Sequence, residues 1–178
     1  MSTDEQGNDL DRVAAEDLEL VGEQLGRPAR SVVGVAHRCP CGGPTVVRTA
    51  PRLPAGTPFP TSFYATCPRL TGAISTLESS GLMAEMSRRL LEDEDLAERY
   101  AAAHEDYLRR RSELGDVPEI EGISAGGMPT RVKCLHVLVA HSLAAGPGVN
   151  PLGDEALQRL PEWWRTSPCC GTDEGSDA

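Results

Sequence analysis

The sequence predicts an α+β fold, a mostly helical single domain that contains a small antiparallel three-stranded meander. Two observations predict it: short β-branched runs separated by turn residues lie in the first half of the chain, and apolar residues at helical spacing follow from residue 70 onward. A chain of 178 residues is long enough for one continuous core. We therefore expect a flexible acidic start over residues 1–9, one domain over residues 10–165 and a disordered acidic tail over residues 166–178.

The predicted elements follow one another in a simple order. Apolar residues from Leu10 to Leu25 recur at helical spacing and predict an amphipathic first helix. The runs SVVGVAH, PTVVRTA and TSFYAT predict the three strands, with RCPCGG as the first turn. Pro68 can occupy the first position of a helix. Further helices are predicted over residues 68–77, 82–91, 96–114 and 154–160.

The stretch RVKCLHVLVAHSL, residues 131–143, predicts a central apolar helix. Pro129 is expected to open this helix, which runs to about residue 145 before the GPG turn. Apolar residues cover nearly its whole circumference, so the helix should be buried and its polar side chains should have partners. In a regular helix Cys134 and His136 would point about 200° apart, and we expect them not to share a site. We expect His141 to lie in the core.

Charge is distributed unevenly along the chain, whose net charge is −10. Residues 24–77 contain six arginines and no Asp or Glu, whereas residues 78–121 carry thirteen acids against six arginines. The basic segment could bind an acidic protein or an anionic small molecule. Alternatively, the acidic N-terminal segment folds over the basic segment and the charges pair within the chain. Nucleic acid is not expected as a partner, because the chain is acidic and has few aromatic residues.

The expected location is the cytoplasm. No apolar run approaches the roughly 18 residues that a membrane-spanning helix needs, and the acidic start is unlike the basic start of a signal peptide. We therefore expect no membrane span. In a reducing compartment, the six cysteines should be buried, catalytic or bound to metal rather than paired in structural disulfides.

Four cysteines form the first candidate site. Cys39 and Cys41 flank Pro40 in a tight turn followed by two glycines, and Cys67 and Cys134 could complete a set of four metal ligands. Zinc is the expected metal, and an iron–sulfur cluster is the alternative because it uses the same residue types. Cys39 and Cys41 could instead form a reducible disulfide or a reactive thiol, and the other two could be buried apolar residues. Further candidates for this site are His136 and Lys133.

The second candidate is the loop SAGGM, residues 124–128. If a helix opens at Pro129, its free N–H groups and the two glycines could bind a phosphate or carboxylate. An enzyme acting on a phosphorylated small molecule could then use Lys133 or His136 as acid or base. An ordinary flexible connection is the alternative. The candidate anion-binding residues are Ser124, Gly126, Gly127, Arg131, Arg48 and Arg52.

Two long stretches of the chain resemble an uncharacterised bacterial family, domain of unknown function 501: HRCPCGGPTVVRTAPRLPAGTPFPTSFYATCPRL and SAGGMPTRVKCLHVLVAHSLAAGPGVNPLGDEAL. The resemblance covers about residues 17–160. The family is common in actinobacteria, which fits the preference for arginine over lysine. Its genes often lie beside those for a septum-formation initiator protein and an exopolyphosphatase-like enzyme. The resemblance therefore implies, as an alternative function, a non-catalytic adaptor linked to cell division, and it implies no catalytic residues.

The leading hypothesis from the sequence is a cysteine-based metal or thiol site beside a basic anion-binding surface. The adaptor and the enzyme acting on a phosphorylated small molecule are the alternatives. Whether the protein is an enzyme stays open at this point.

Overall fold

The computed structural model describes residues 13–165, which form an α+β domain with a three-stranded sheet and six α-helices. The predicted fold class is thereby confirmed. The elements in chain order are α1 (Ala15–Leu25), β1 (Val32–Arg38), β2 (Pro44–Thr49), β3 (Phe63–Ala65), α2 (Pro68–Glu78), α3 (Leu82–Glu92), α4 (Glu94–Ser112), a short 3-10 helix (Pro118–Ile120), α5 (Leu135–Ala145) and α6 (Pro151–Arg159). Leu10 and the predicted tail from residue 166 lie outside the described residues.

The sheet is an antiparallel meander in the order β1-β2-β3, as predicted. All six residues of β2 are buried, because this central strand is flanked by both other strands and contacts α1 and α5. Tyr107 of α4 ties the helices to the sheet: its Oη accepts hydrogen bonds from the backbone N–H groups of Ser62 and Phe63, at 2.7 and 3.4 Å.

Helix α1 is fastened to the sheet by polar contacts. Asp17 pairs with Arg38 at 2.6 Å. The amide of Gln24 donates to the carbonyl of Pro44, and its oxygen accepts a hydrogen bond from the Thr66 hydroxyl. The described part of the acidic N-terminal segment therefore lies against the basic segment, in line with internal charge pairing.

Helix α5 is the central element of the domain, and the prediction of a central apolar helix is confirmed. It contacts all three strands as well as α2 and α6, and nearly every residue from Leu135 to Ser142 is buried. It begins at Leu135, later than the predicted start at Pro129. The reason is that the preceding loop closes on itself, since the N–H of Lys133 donates to the carbonyl of Gly126 at 2.7 Å. None of the helices in residues 13–165 is long and apolar enough to cross a membrane.

Helices α5 and α6 approach each other very closely at Gly153. A Cβ atom on this glycine would lie 2.3 Å from the carbonyl oxygen of Leu138 and 2.3 Å from Oγ of Ser142. Asn150 caps α6, because its Oδ1 accepts a hydrogen bond from the N–H of Gly153 at 2.9 Å. Only glycine permits this packing of the two helices.

His141 lies fully buried in the core, as predicted. Its Nε2 lies 2.9 Å from Oδ2 of Asp106, and its Nδ1 lies 3.2 Å from Nδ2 of Asn150. Burial lowers the pKa of His141 despite the neighbouring carboxylate. A neutral ring that donates from Nε2 and accepts at Nδ1 satisfies both contacts.

Candidate functional site

Three side chains that can ligate a metal meet at the N-terminus of α5: Glu78, Cys134 and His136. One ligand atom from each lies within 4.8 Å of the other two, and all three residues are partly exposed. Among residues 13–165, no other three side chains of the types His, Cys, Asp and Glu bring their ligand atoms this close together. We call it the Cys134 cluster.

Cys134 and His136 share this site because Cys134 is not part of the helix. It is the residue before the first turn, with an extended backbone at φ −154° and ψ 112°. Its side chain therefore does not follow the rotation of about 100° per residue that separates helical neighbours. The expectation that these two side chains point apart is wrong, since it assumed a helix that had already begun at Pro129.

Glu78 is the last residue of α2 and comes to the site across the domain. Its Oε1 accepts a hydrogen bond from the N–H of Leu135 at 2.8 Å and lies 3.1 Å from Nδ1 of His136. The side chain of Cys134 makes no capping bond, so the carboxylate caps α5 from another helix. Sequence reasoning missed Glu78, because an acid at the end of an amphipathic helix carries no signal of its distant partner.

His136 is held in its protonated form. The hydrogen bond with Cys134 is the largest cause, and together with Glu78 it outweighs burial and raises the pKa of His136 to about 9. Both ring nitrogens face acceptors: Nδ1 faces Glu78, and Nε2 lies 3.3 Å from the carbonyl oxygen of Thr71. An imidazolium ring that donates from both nitrogens satisfies this arrangement.

Cys134 and His136 line a cavity of about 490 Å³. The other lining residues carry no charge at neutral pH, and they include the aromatic rings of Phe63 and Tyr64. A molecule that reaches Cys134 through this cavity therefore meets His136 as the charged group of its walls.

The remaining cysteines of the predicted four-cysteine site lie apart from the cluster. Cys39 and Cys41, in the turn between β1 and β2, are joined by a disulfide with their Cα atoms 5.4 Å apart. Cys67 precedes α2 and is fully buried, which agrees with the alternative that it is a buried apolar residue. Among residues 13–165, the group of ligand atoms that lie within 4.8 Å of one another includes Cys134 but none of the other three cysteines.

The loop 124–128 packs against α5 instead of preceding its first turn. Ser124 is buried, and its Oγ lies 2.7 Å from Nδ1 of His104. A Cβ atom on Gly126 would lie 2.8 Å from a methyl carbon of Leu138, and one on Gly127 would lie 2.7 Å from a backbone oxygen. The glycines therefore permit close packing. The anion-binding prediction required a helix that starts directly after this loop. The helix starts at Leu135 instead, and the N–H of Leu135 already donates to Glu78. Arg131 and Lys133 lie between this loop and α5, and both are exposed.

Three arginines of the predicted basic surface pair with acids of the same chain. Arg48 is 7% exposed and also donates to the carbonyl of Arg110 in the last turn of α4. For these three arginines, the described residues show internal pairing, which was the alternative to a free anion-binding surface. The pairs are Arg38–Asp17 at 2.6 Å, Arg48–Glu113 at 2.9 Å and Arg52–Glu119 at 2.7 Å.

The fold and the cluster define the class: an α+β protein with a thiol, an imidazole and a carboxylate grouped at the start of a buried helix. The family model described as "Protein of unknown function (DUF501)" matches residues 35–158, more than half of the chain. The chain belongs to this family, and the matched range includes all three residues of the Cys134 cluster. No curated protein and no solved structure matched the chain.

Proposed function

We propose that the Cys134 cluster binds a zinc ion in an open, three-ligand site. The observation that carries this proposal is the grouping of three ligand atoms within 4.8 Å of one another beside a cavity. Cysteine, histidine and glutamate are all zinc ligands, and zinc sites that take part in reactions use three protein ligands and keep a fourth position open. A metal at this point would sit between helix α2 and the start of α5.

The surroundings of the ligands support this proposal. The carbonyl of Thr71 orients the His136 ring, and the N–H of Leu135 orients the Glu78 carboxylate. Hydrogen bonds of this kind hold metal ligands in place and tune their basicity. Zinc is favoured over an iron–sulfur cluster, because such clusters draw most of their ligands from cysteines and this group contains one thiol.

Metal-free thiol chemistry at Cys134 is the second candidate. The Cys134 side chain lies at the start of α5 and shares a hydrogen bond with His136, so a thiol and an imidazole are within reach of each other. In this function Cys134 would be the nucleophile, the protonated His136 the proton donor, and Glu78 the group that orients the ring. The same three residues thus serve either function.

The other functions expected from the sequence have less support. A phosphorylated substrate is disfavoured at this site, because the cavity walls contain no lysine or arginine. An adaptor that docks an acidic partner, with a link to cell division, stays a prediction. Three of the arginines that could bind such a partner already pair with acids of the same chain.

Metal analysis of protein purified without oxygen tests the leading proposal. We expect about one zinc per chain, lost in Cys134→Ser and in His136→Gln and retained in the matched control Cys67→Ser. Retention of zinc in Cys134→Ser would contradict the proposal. Loss of zinc in a Cys39→Ser, Cys41→Ser variant would favour the four-cysteine site instead.

Metal content below about 0.2 equivalents in the parent protein would also contradict zinc binding, given the high affinity of thiolate sites. The alkylation rate of the thiols then tests the second candidate. We expect iodoacetamide to modify Cys134 faster than the buried Cys67, and His136→Gln to slow that reaction. Equal rates in the parent protein and in His136→Gln would rule out an activated thiol.

A further inference from the structure

A second cavity lies near the C-terminal end of α5, away from the Cys134 cluster. Its volume is about 390 Å³, which falls in the range of about 300–1,000 Å³ typical of small-molecule sites. The walls come from the end of β1, α5, α6 and the turn that follows α6. They include the charged Arg38 but are mainly apolar, and the apolar members are Leu143, Leu157, Leu160, Pro161, Trp163 and Trp164.

Two nitrogen atoms on residues that line this cavity have no hydrogen-bond partner among the described residues: Nδ1 of His37 and Nε1 of Trp163. Trp163 is only 9% exposed, so its indole N–H is removed from water without an acceptor in exchange. Buried polar groups are usually satisfied, and one that is not calls for an explanation. An apolar cavity with a few polar atoms is the usual composition of a ligand site.

We propose that this cavity binds a small, mainly apolar molecule that carries a carbonyl or carboxylate oxygen, which accepts a hydrogen bond from the indole N–H of Trp163. An acceptor is required because the indole nitrogen can only donate. Nε1 is shielded from solvent and Trp163 packs in the core, so binding requires this ring to turn toward the cavity. Trp163 lies in a turn outside any helix.

The tryptophans make this proposal directly measurable. The chain contains two of them, both line the cavity, and their ring centroids lie 4.6 Å apart. Fluorescence excited at a wavelength that selects tryptophan over the three tyrosines therefore reports on this cavity.

The experiment is a fluorescence titration with three probes of equal chain length: octanoate, 2-octanone and octane, which is uncharged and has no acceptor. We expect a saturable change with at least one oxygen-bearing probe and binding of octane that is weaker by about fivefold or more, as for the loss of one hydrogen bond. Binding of both oxygen probes, or of one alone, supports the proposal and identifies a neutral or a charged head group. Equal binding of octane, or no saturable change with any probe, overturns it.

Three variants locate the binding. Trp163→Phe keeps the apolar wall but removes the donor, so we expect about fivefold weaker binding of the oxygen probes. Trp164→Phe is the matched control and should bind as the parent protein does. Leu157→Phe fills the cavity and should abolish binding with an unchanged circular dichroism spectrum.

Unchanged affinity in Trp163→Phe would overturn the role of the indole. Unchanged affinity in Leu157→Phe would place the probes elsewhere and overturn the site, even if Trp163→Phe does not fold. None of these variants alters the Cys134 cluster, so the outcome is independent of metal content.

Discussion

Glu78 and His136 form an ion pair that joins the end of α2 to the beginning of α5, with Oε1 and Nδ1 3.1 Å apart. Both side chains are less than one third exposed, so water screens the pair only in part. The same carboxylate oxygen accepts the N–H of Leu135. The pair therefore fixes the position of the helix start and the orientation of the imidazole ring together.

Removal of the charge at position 78 tests this relationship. In metal-free Glu78→Gln we expect the pKa of His136 to fall below its value of about 9, because one of the two groups that stabilise the imidazolium is gone. The glutamine still accepts the N–H of Leu135. NMR titration of the imidazole protons measures the change, with Glu92→Gln, on the exposed side of α3, as control. An unchanged pKa in Glu78→Gln would contradict the ion pair.

The same pair makes stability depend on pH. The pKa of His136 in the folded protein is raised above its ordinary value of 6.5, so the stabilisation is fully present below pH 6.5 and is lost as pH rises through about 9. At pH 6 we expect metal-free Glu78→Gln to be less stable than the parent protein by about 1 kcal/mol, a difference that shrinks by pH 10. Urea unfolding at both pH values measures it. A difference that stays constant with pH would contradict this account.

His141 is expected to have the opposite effect in acid. Burial lowers its pKa, so the unfolded chain takes up a proton below about pH 6.5 that the folded protein resists. The stability that the neutral ring contributes is therefore present above pH 6.5 and is lost as pH falls. We expect the parent protein to lose about 1 kcal/mol more than His141→Gln between pH 7 and pH 5.5. Equal losses in denaturant unfolding would show that His141 is not held neutral.

The close approach of α5 and α6 predicts opposite effects for two glycine substitutions. Gly153→Ala places a methyl group 2.3 Å from a backbone oxygen and should destabilise the protein by about 3 kcal/mol. Gly72→Ala, on the exposed face of α2 with no atom within 4 Å, should stabilise it by up to about 1 kcal/mol. Urea unfolding measures the free energy of unfolding of both variants, and it compares an added methyl group in open space with one in a closely packed helix contact. A tolerated Gly153→Ala would mean that the helices can separate at little cost.

Arg48 and Arg52 are expected to differ sharply although both were candidates for one basic surface. Arg48 is buried, donates to a carbonyl at the end of α4 and pairs with Glu113, so Arg48→Ala should cost about 2–3 kcal/mol of stability. Arg52 forms an exposed pair with Glu119, so Arg52→Ala should cost less than about 1 kcal/mol. Thermal unfolding distinguishes the two. Of these arginines, Arg52 is consequently the suitable position for a charge-reversal test of binding to an acidic partner.

The sequence was sufficient for the parts of the fold that depend on local patterns. Short β-branched runs separated by turn residues predict the strands, and an apolar run predicts α5. The start of α5 was misplaced, because Pro129 satisfies the local rule for a helix start while the loop bonds to its own Gly126 instead. At the site, Cys134 and His136 were recognised as candidates by residue type. Their partner Glu78 depends on how α2 packs against α5, which is a long-range contact that no local pattern contains.

The contacts of α5 with every strand and with α2 and α6 have a consequence for hydrogen exchange. Amide protons of a helix enclosed on all sides exchange only when the whole domain opens, so those of Val137 to His141 should be among the slowest in the protein. The Cys134 cluster is attached to the first turn of this helix. Its geometry is therefore preorganised by the most protected part of the chain, and a metal or substrate that binds there need not order the site first.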